Sequence, residues 1–257
     1  MDFRTFSNVD AAETSNGGKA AISEALLIHV ARRFFVYAFR SVIAFLAFSI
    51  LLVLADRWLP IPVTSLMLIR VEDGLISGHA VRLEKRWVSL DDISERLQAS
   101  VVAAEDIKFF EHDGFDWEAI EKARKHNEHS RRLRGASTIS QQVAKNVFLW
   151  PGRSWVRKGL EAYFTVLIEN LWSKDRIMEV YLNVVEFGDG VYGAEAASRH
   201  YFNKSAADLN SSEAALLAAV LPNPRRYLVS HPSPYTRLRQ TLIQRRMPVA
   251  ARTFPDR

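Results

Sequence analysis

No cysteine occurs in the chain. That excludes disulfide staples, thiol nucleophiles and cysteine-based zinc sites. It suits a chain that faces an oxidising compartment. Neither sign of charge dominates: 34 Lys and Arg stand against 29 Asp and Glu, a formal net charge of +5. The mild basic excess suits an anionic partner, without choosing among nucleic acid, acidic lipid headgroups and phosphorylated substrates. Strand-like alternation is confined to residues 62–71 and 81–88, and no internal repeat is found. Long hydrophobic runs are limited to one. Even so, 48% of the 257 residues are apolar, enough for a core of ordinary size.

The one long run is residues 34–55, FFVYAFRSVIAFLAFSILLVLA, 22 residues with a single charge, Arg40. As a helix it spans roughly 30 Å, the thickness of a bilayer core. Arg40 lies near its start and can snorkel to the headgroups. Arg32 and Arg33 flank the N-terminal side, which places the N-terminus in the cytoplasm. A cleavable signal peptide and a buried core helix are the rival readings. The run is long for the first, lacks a small-x-small cleavage site, and is apolar all round, unlike the second. The expected organisation is a disordered cytoplasmic tail (1–33), a signal anchor (34–55), a stalk with a short extended segment (56–88), and a mainly α domain (89–257).

Within that domain the helical period is plain. Ile93, Leu97 and Val101 recur on one face of a helix that Ser89 can cap. Ile139, Val143 and Val147 mark a second helix. Val156, Leu160, Phe164, Leu167 and Leu171 mark a third, capped by Ser154. Ile177, Val180, Tyr181 and Val184 mark a fourth, capped by Ser173. SSEAALLAAVLPNP reads as a small-residue helix stopped by Pro222 and Pro224. Residues 121–134 carry six Lys or Arg against two Glu; they read as a solvated helix or loop, or as a segment that attracts lipid phosphates.

Three constellations carry chemistry. EDIKFFEHDGFD sets Glu105 and Asp106 at the end of an apolar helix, and consecutive residues there point about 100° apart. One can enter a cleft while the other is bonded locally; a helix end with solvated acids is the plain alternative. GASTISQQVAKN offers Ser137 or Thr138 as a cap, with Gln141 and Lys145 on one face. Amides suit sugar hydroxyls and an ammonium suits phosphate. GRSWVRKGLE gathers Arg153, Arg157 and Lys158 at a helix start, with Glu161 one turn on. Cations there oppose the helix dipole, a mismatch that a docked anion relieves. Two separated glutamates equip glycosyl chemistry, and the cations suggest a phosphate leaving group.

At these residues the sequence resembles the peptidoglycan glycosyltransferases of family 51. EDIKFFEHDGFD resembles the first motif, GASTISQQVAKN the second and RKGLE the third. RIMEVYLNVVEFGDGVYGAEAASRHYFNK resembles the fourth, and EAALLAAVLPNPRRY the fifth. The resemblance covers roughly residues 62–230 and is nearest to the monofunctional biosynthetic form, since no S-x-x-K or K-T-G transpeptidase motif occurs. It implies a lysozyme-like, two-lobed domain that polymerises lipid II behind a membrane anchor in the bacterial inner membrane, with the catalytic domain in the periplasm. It implies Glu105 as general base on the acceptor 4-hydroxyl. It places Glu161 near the donor pyrophosphate, assisting the leaving group directly or through a divalent cation, Mg or Mn; no organic cofactor is implied. Lys145 and Arg153 would stabilise the pyrophosphate, with Lys158 as helper. Ser137, Thr138, Gln141, Gln142 and Asn146 would position sugars and phosphates. Asp106, Phe109, His112, Gly114, Asp116 and Arg157 would support the motifs. Leu160 departs from relatives with a basic residue there, which leaves the cation count around the pyrophosphate open. The implied partners are lipid II, the growing strand, membrane lipids and other cell-wall synthesis proteins, not nucleic acid. A lysozyme-like hydrolase and a non-catalytic membrane scaffold are the rival functions.

Overall fold

The structure, a computed structural model, describes residues 7–78, 82–130, 135–152 and 154–255. The chain divides into two compact units, 1–52 and 53–257. The first is helix throughout its described length. Helix α1 runs Ser7–Asp56, and its stretch Arg32–Asp56 is long and apolar enough to cross a membrane. Residues 7–33, expected as a disordered tail, are therefore helical. The physical reason is that the Ala- and Glu-containing stretch ahead of the span adds turns to an existing helix and needs no nucleus of its own.

The second unit begins where α1 ends. Trp172 Nε1 donates to the Val53 carbonyl at 2.7 Å, and Arg176 donates to the Asp56 carbonyl at 2.7 Å. These are among the carbonyls a helix end leaves without an amide partner. The expected stalk is a correction. Residues Ser65–Ile76 form helix α2, with the Thr64 hydroxyl accepting from Met67 N. Leu, Met and Glu outnumber the β-branched residues there, and Met67 packs into the core, so helix wins over an extended segment.

A three-stranded sheet follows from short pieces. β1 (Glu84–Lys85) pairs in parallel with β3 (Val191–Tyr192), and β3 pairs antiparallel with β2 (Glu186–Gly188). Of the anticipated 81–88 segment, positions 84–85 alone are strand among the described residues 82–88. A 3₁₀ turn at Leu90–Asp92 precedes α3 (Glu95–Glu105). The cap of α3 is Ser94, not Ser89, because Ile93 is extended and interrupts the helix. Ile93, Leu97 and Val101 are nevertheless all buried.

The remaining helices are α4 (Trp117–His129), α5 (Ile139–Phe148), α6 (Trp155–Leu171), α7 (Lys174–Val184), α8 (Ala194–Phe202), α9 (Ser211–Val220) and α10 (Pro234–Ala251). α3, α9 and α10 pack on one another, and α5 packs on α6 and α7. Small residues let α9 sit deep between its neighbours: Ala214 to Val220 are all buried. Each buried large apolar side chain, such as Leu97 or Ile168, contributes about 1.5–3 kcal/mol.

Two sequence expectations shift here. On α6 the buried face is Glu161, Phe164, Thr165 and Ile168, while Val156 is exposed. Leu160, Leu167 and Leu171 pack partly buried against the core as expected, while the apolar count included the exposed Val156 and left out Glu161, Thr165 and Ile168. α10 was not anticipated at all: its apolar residues fall on two separate faces, one buried and one exposed, so no single apolar stripe announces it. The basic run 121–134 falls on α4 as far as His129. There Lys122, Arg124 and Lys125 pair with Glu118, Glu121 and Glu128 along the helix. Those pairs favour the solvated-face reading. Arg131, Arg132 and Arg134 lie outside the described residues.

Candidate active site

A cleft of about 720 Å³ opens between the two helix groups. Glu105 and Asp106 at the end of α3 line it, with Ser137 and Thr138 before α5, Gln142 and Lys145 on α5, and Arg239 and Arg246 on α10. The pair of acids divides the work. Asp106 leaves the helix at φ −160°, which turns its side chain away from that of Glu105. Its carboxylate is buried and accepts from Ile139 N at 3.0 Å. The other oxygen lies 3.0 Å from His112 Nε2. His112 Nδ1 accepts from Gly114 N at 3.1 Å, so the ring proton sits on Nε2 and is donated to Asp106. Asp106 therefore ties α3 to the start of α5 and leaves Glu105 facing the cleft.

The turn after α3 is fixed on every side. Phe109 is fully buried, and Lys174 Nζ sits 4.8 Å over its ring. Asp116 caps α4 by accepting from Ala119 N at 2.8 Å. The Thr138 hydroxyl donates to the Gly114 carbonyl at 2.7 Å and caps α5. Gly114 itself has φ +90°, and a Cβ there would come within 2.7 Å of Thr165 Cγ2 and 2.9 Å of Glu169 Cγ. Gly114→Ala should therefore cost about 2–4 kcal/mol from the left-handed backbone and the clash together. Thermal melting should show a fall of about 5–10 °C; an unchanged Tm would mean this turn is not built as described.

Glu105 is held by an amide. Gln142 Nε2 donates to Glu105 Oε2 at 3.0 Å, and the buried Tyr181 hydroxyl donates to Gln142 Oε1 at 3.3 Å. The tyrosine thus fixes which end of the amide meets the carboxylate. Burial raises the Glu105 pKa above its ordinary 4.5; the Gln142 hydrogen bond and the charges of Arg239 and Lys145 act against the rise. A carboxyl in that state is a better base than a solvated one. Lys145 moves the other way. Burial lowers its pKa from 10.5, the Glu161 charge opposes this, and Arg157 and Lys158 add to the fall.

The other expected site residues divide. Glu161 is 3% exposed and lies outside the cleft lining. Its carboxylate accepts from Arg157 at 2.8 Å and from Lys158. Gln141 is buried in a capping box, its side-chain oxygen accepting from Thr138 N at 3.0 Å. A direct role in positioning substrate is not what its geometry offers, because the helix start already occupies that amide oxygen. Asn146 is buried, also outside the cleft lining. Arg153 lies outside the described residues.

The donor set does not suit a divalent cation. Glu161 is committed to two cations, Asp106 to His112 and a backbone amide, and Asp116 to a helix cap. Among the described residues no group of three His, Asp or Glu is placed to hold a metal. Residues that the sequence reading missed are Arg239, Arg246 and Tyr181. Tyr181 was legible only as core. The arginines carry no local signal, because only the packing of α10 brings them to the cleft. The arrangement can take up a proton at Glu105 and hold an extended anionic ligand along the cations.

Comparison with known proteins places the sequence in a family. The family described as Transglycosylase matches residues 74–248, more than half of the chain. A biosynthetic peptidoglycan transglycosylase of Bdellovibrio bacteriovorus is 55% identical over 208 residues, 81% of this chain and 83% of that protein. Its namesake in Rhodospirillum centenum is 56% identical over 201 residues, 78% of this chain and 85% of that protein. A third, from Bacteroides thetaiotaomicron, is 54% identical over 211 residues, 82% and 85% respectively. The mainly helical, lysozyme-like domain, the cleft with its carboxylate and cations, and these matches have one conclusion: the chain belongs to the transglycosylase family.

Proposed function

We propose that this chain is a peptidoglycan glycosyltransferase that polymerises glycan strands from lipid II. The observation that carries the reading is Glu105, oriented by Gln142 in a cleft whose walls also carry Lys145, Arg239 and Arg246. Glu105 removes the proton from the acceptor GlcNAc 4-hydroxyl as that oxygen attacks C1 of the donor MurNAc. The new C1–O4 bond forms as the bond from C1 to the pyrophosphate breaks, and the configuration inverts. Undecaprenyl pyrophosphate leaves with the bonding electrons. Holding both sugars beside the base removes much of the entropic barrier.

The leaving group gains negative charge, and Lys145 meets it in the cleft, assisted by Arg153. Glu161 acts one layer back. It orients Arg157 and Lys158, whose charges help to set that of Lys145. Side-chain cations neutralise that charge in this reading. Arg239 and Arg246 suit the acceptor's own pyrophosphate, since they share the cleft wall with the base. The anchor holds the enzyme in the inner membrane with its N-terminus in the cytoplasm and the catalytic unit outside, where lipid II is consumed. Other cell-wall synthesis proteins are natural partners there.

The test is polymerisation of labelled lipid II by the full chain in detergent, with products sized on a gel. Long strands support the reading. Shortening of preformed strands would assign a hydrolase instead. A folded protein that binds lipid II and makes no polymer would be a scaffold.

A further inference from the structure

The outer side of α10 has a pattern that the reaction above does not use. Thr236, Gln240, Ile243, Met247 and Ala250 form its buried face. Pointing away from that face are Tyr235 (44% exposed), Leu238 (58%), Leu242 (42%) and Val249 (55%). At 100° per residue these four fall within an arc of about 60°. A solvated helix face would carry polar residues there, and this one carries a tyrosine and three aliphatic side chains. The Tyr227 ring extends the patch, 5.4 Å from that of Tyr235.

Arginines border the stripe on both sides. Arg239 and Arg246 fall on the flank that lines the cleft, and Arg245 and Arg252 on the opposite flank. Arg237 is a fifth. The segment 234–252 contains no Asp or Glu. None of these arginines forms an ion pair among the described residues. An apolar stripe flanked on both sides by arginines outside any ion pair among the described residues is the pattern of a helix that lies in a bilayer interface. Its apolar side chains enter the acyl boundary, and Arg245 and Arg252, on the flank away from the cleft, extend to lipid phosphates. An acidic protein would satisfy the charges but not the aliphatic stripe as a continuous face. A second copy would oppose arginine to arginine.

We propose that α10 is a second lipid-contacting element of this protein, lying on an anionic bilayer surface with Tyr235, Leu238, Leu242 and Val249 immersed. The lip of the cleft then sits at the headgroup level, where a lipid-linked substrate presents its pyrophosphate. Only this last consequence rests on the function proposed above. The contact itself rests on the pattern of α10.

The absence of cysteine makes the test direct. Single variants Leu242→Cys, Leu238→Cys and, as an aqueous control, Asp208→Cys are labelled with an environment-sensitive fluorophore. The full chain is placed in nanodiscs of phosphatidylcholine and phosphatidylglycerol. An interfacial helix is immersed about 5–10 Å, so lipids brominated high on the acyl chain should quench the labels at 238 and 242 by about half. Aqueous iodide should quench the label at 208 and largely spare those two. Arg245→Gln with Arg252→Gln, or discs of phosphatidylcholine alone, should weaken the lipid quenching. Labels at 238 and 242 that iodide reaches as freely as 208 would overturn the proposal. So would labels that neither quencher reaches, which would indicate a protein partner or a second copy. Lipid quenching that ignores both charge changes would overturn the role of the arginines. The readout needs no turnover, so it stands or falls separately from polymerisation.

Discussion

Glu105→Gln should reduce lipid II polymerisation by about 10²–10⁴-fold, the usual contribution of a positioned general base. The amide keeps the size of the side chain and can still accept from Gln142, so the cleft should survive while the proton acceptor is lost. The pH profile separates this loss from a packing defect. Burial raises the Glu105 pKa above 4.5. The acid limb of the wild-type rate should therefore lie above the ordinary carboxylate range, and the residual rate of the variant should lack that limb.

Stability should move the opposite way. The folded state binds the Glu105 proton more tightly than the unfolded state does. Its favourable contribution is present below the unfolded pKa and is lost as pH rises through the higher folded value. At neutral pH the wild type carries a partly desolvated anion, and the glutamine variant does not. The variant should melt higher than the wild type at neutral pH, with the gap closing in acid. Melting curves that coincide at every pH would show that the carboxylate is not desolvated as the cleft geometry requires. Activity retained in the variant would remove Glu105 from the chemistry altogether.

Lys145→Gln is the second large effect. A charge preorganised for a developing anion in a partly dry site is worth about 10²–10³-fold in rate. The loss should appear in kcat as well as in kcat/KM, because the charge on the pyrophosphate grows as the bond breaks. Burial lowers the Lys145 pKa below 10.5, so the wild type should lose activity on an alkaline limb that starts below the usual lysine range. Lys145→Gln should abolish that limb. Glu161→Gln should shift it further down, since the Glu161 charge is what holds the Lys145 pKa up. A Glu161 that acted on the substrate itself would lower the rate and leave the limb in place. Steady-state rates across the alkaline range for the three proteins decide between them.

Local spacing determined a good deal by itself. The apolar span after Arg32, the buried face of α3 at Ile93, Leu97 and Val101, the caps Ser154 and Ser173, and the motif carrying Glu105 are all periodic or contiguous. Such patterns reflect interactions within a turn or two of helix, which a linear reading can count. The same local logic was incomplete where a polar residue took a structural post. Gln141 closes a capping box. The i, i+4 and i, i+3 spacing of Glu161 to Arg157 and Lys158 is visible in the sequence, but the burial of that pairing is not, since a count of apolar positions does not admit a glutamate. The linear reading also placed a stalk where α2 packs, and started α3 at Ser89 although Ile93 breaks the backbone before Ser94.

The tertiary structure alone decided which charges share the cleft. Asp106 meets Ile139 N across 33 residues, Gln142 meets Glu105 across 37, and α10 delivers Arg239 and Arg246 from the far end of the chain. Coulomb interactions and desolvation depend on distance and surroundings in space, not on separation along the chain. Glu105, Gln142 and Lys145 were therefore legible in the sequence, and Arg239 and Arg246 were not. The protonation state, orientation and company in which each one acts were set by how α3, α5 and α10 pack.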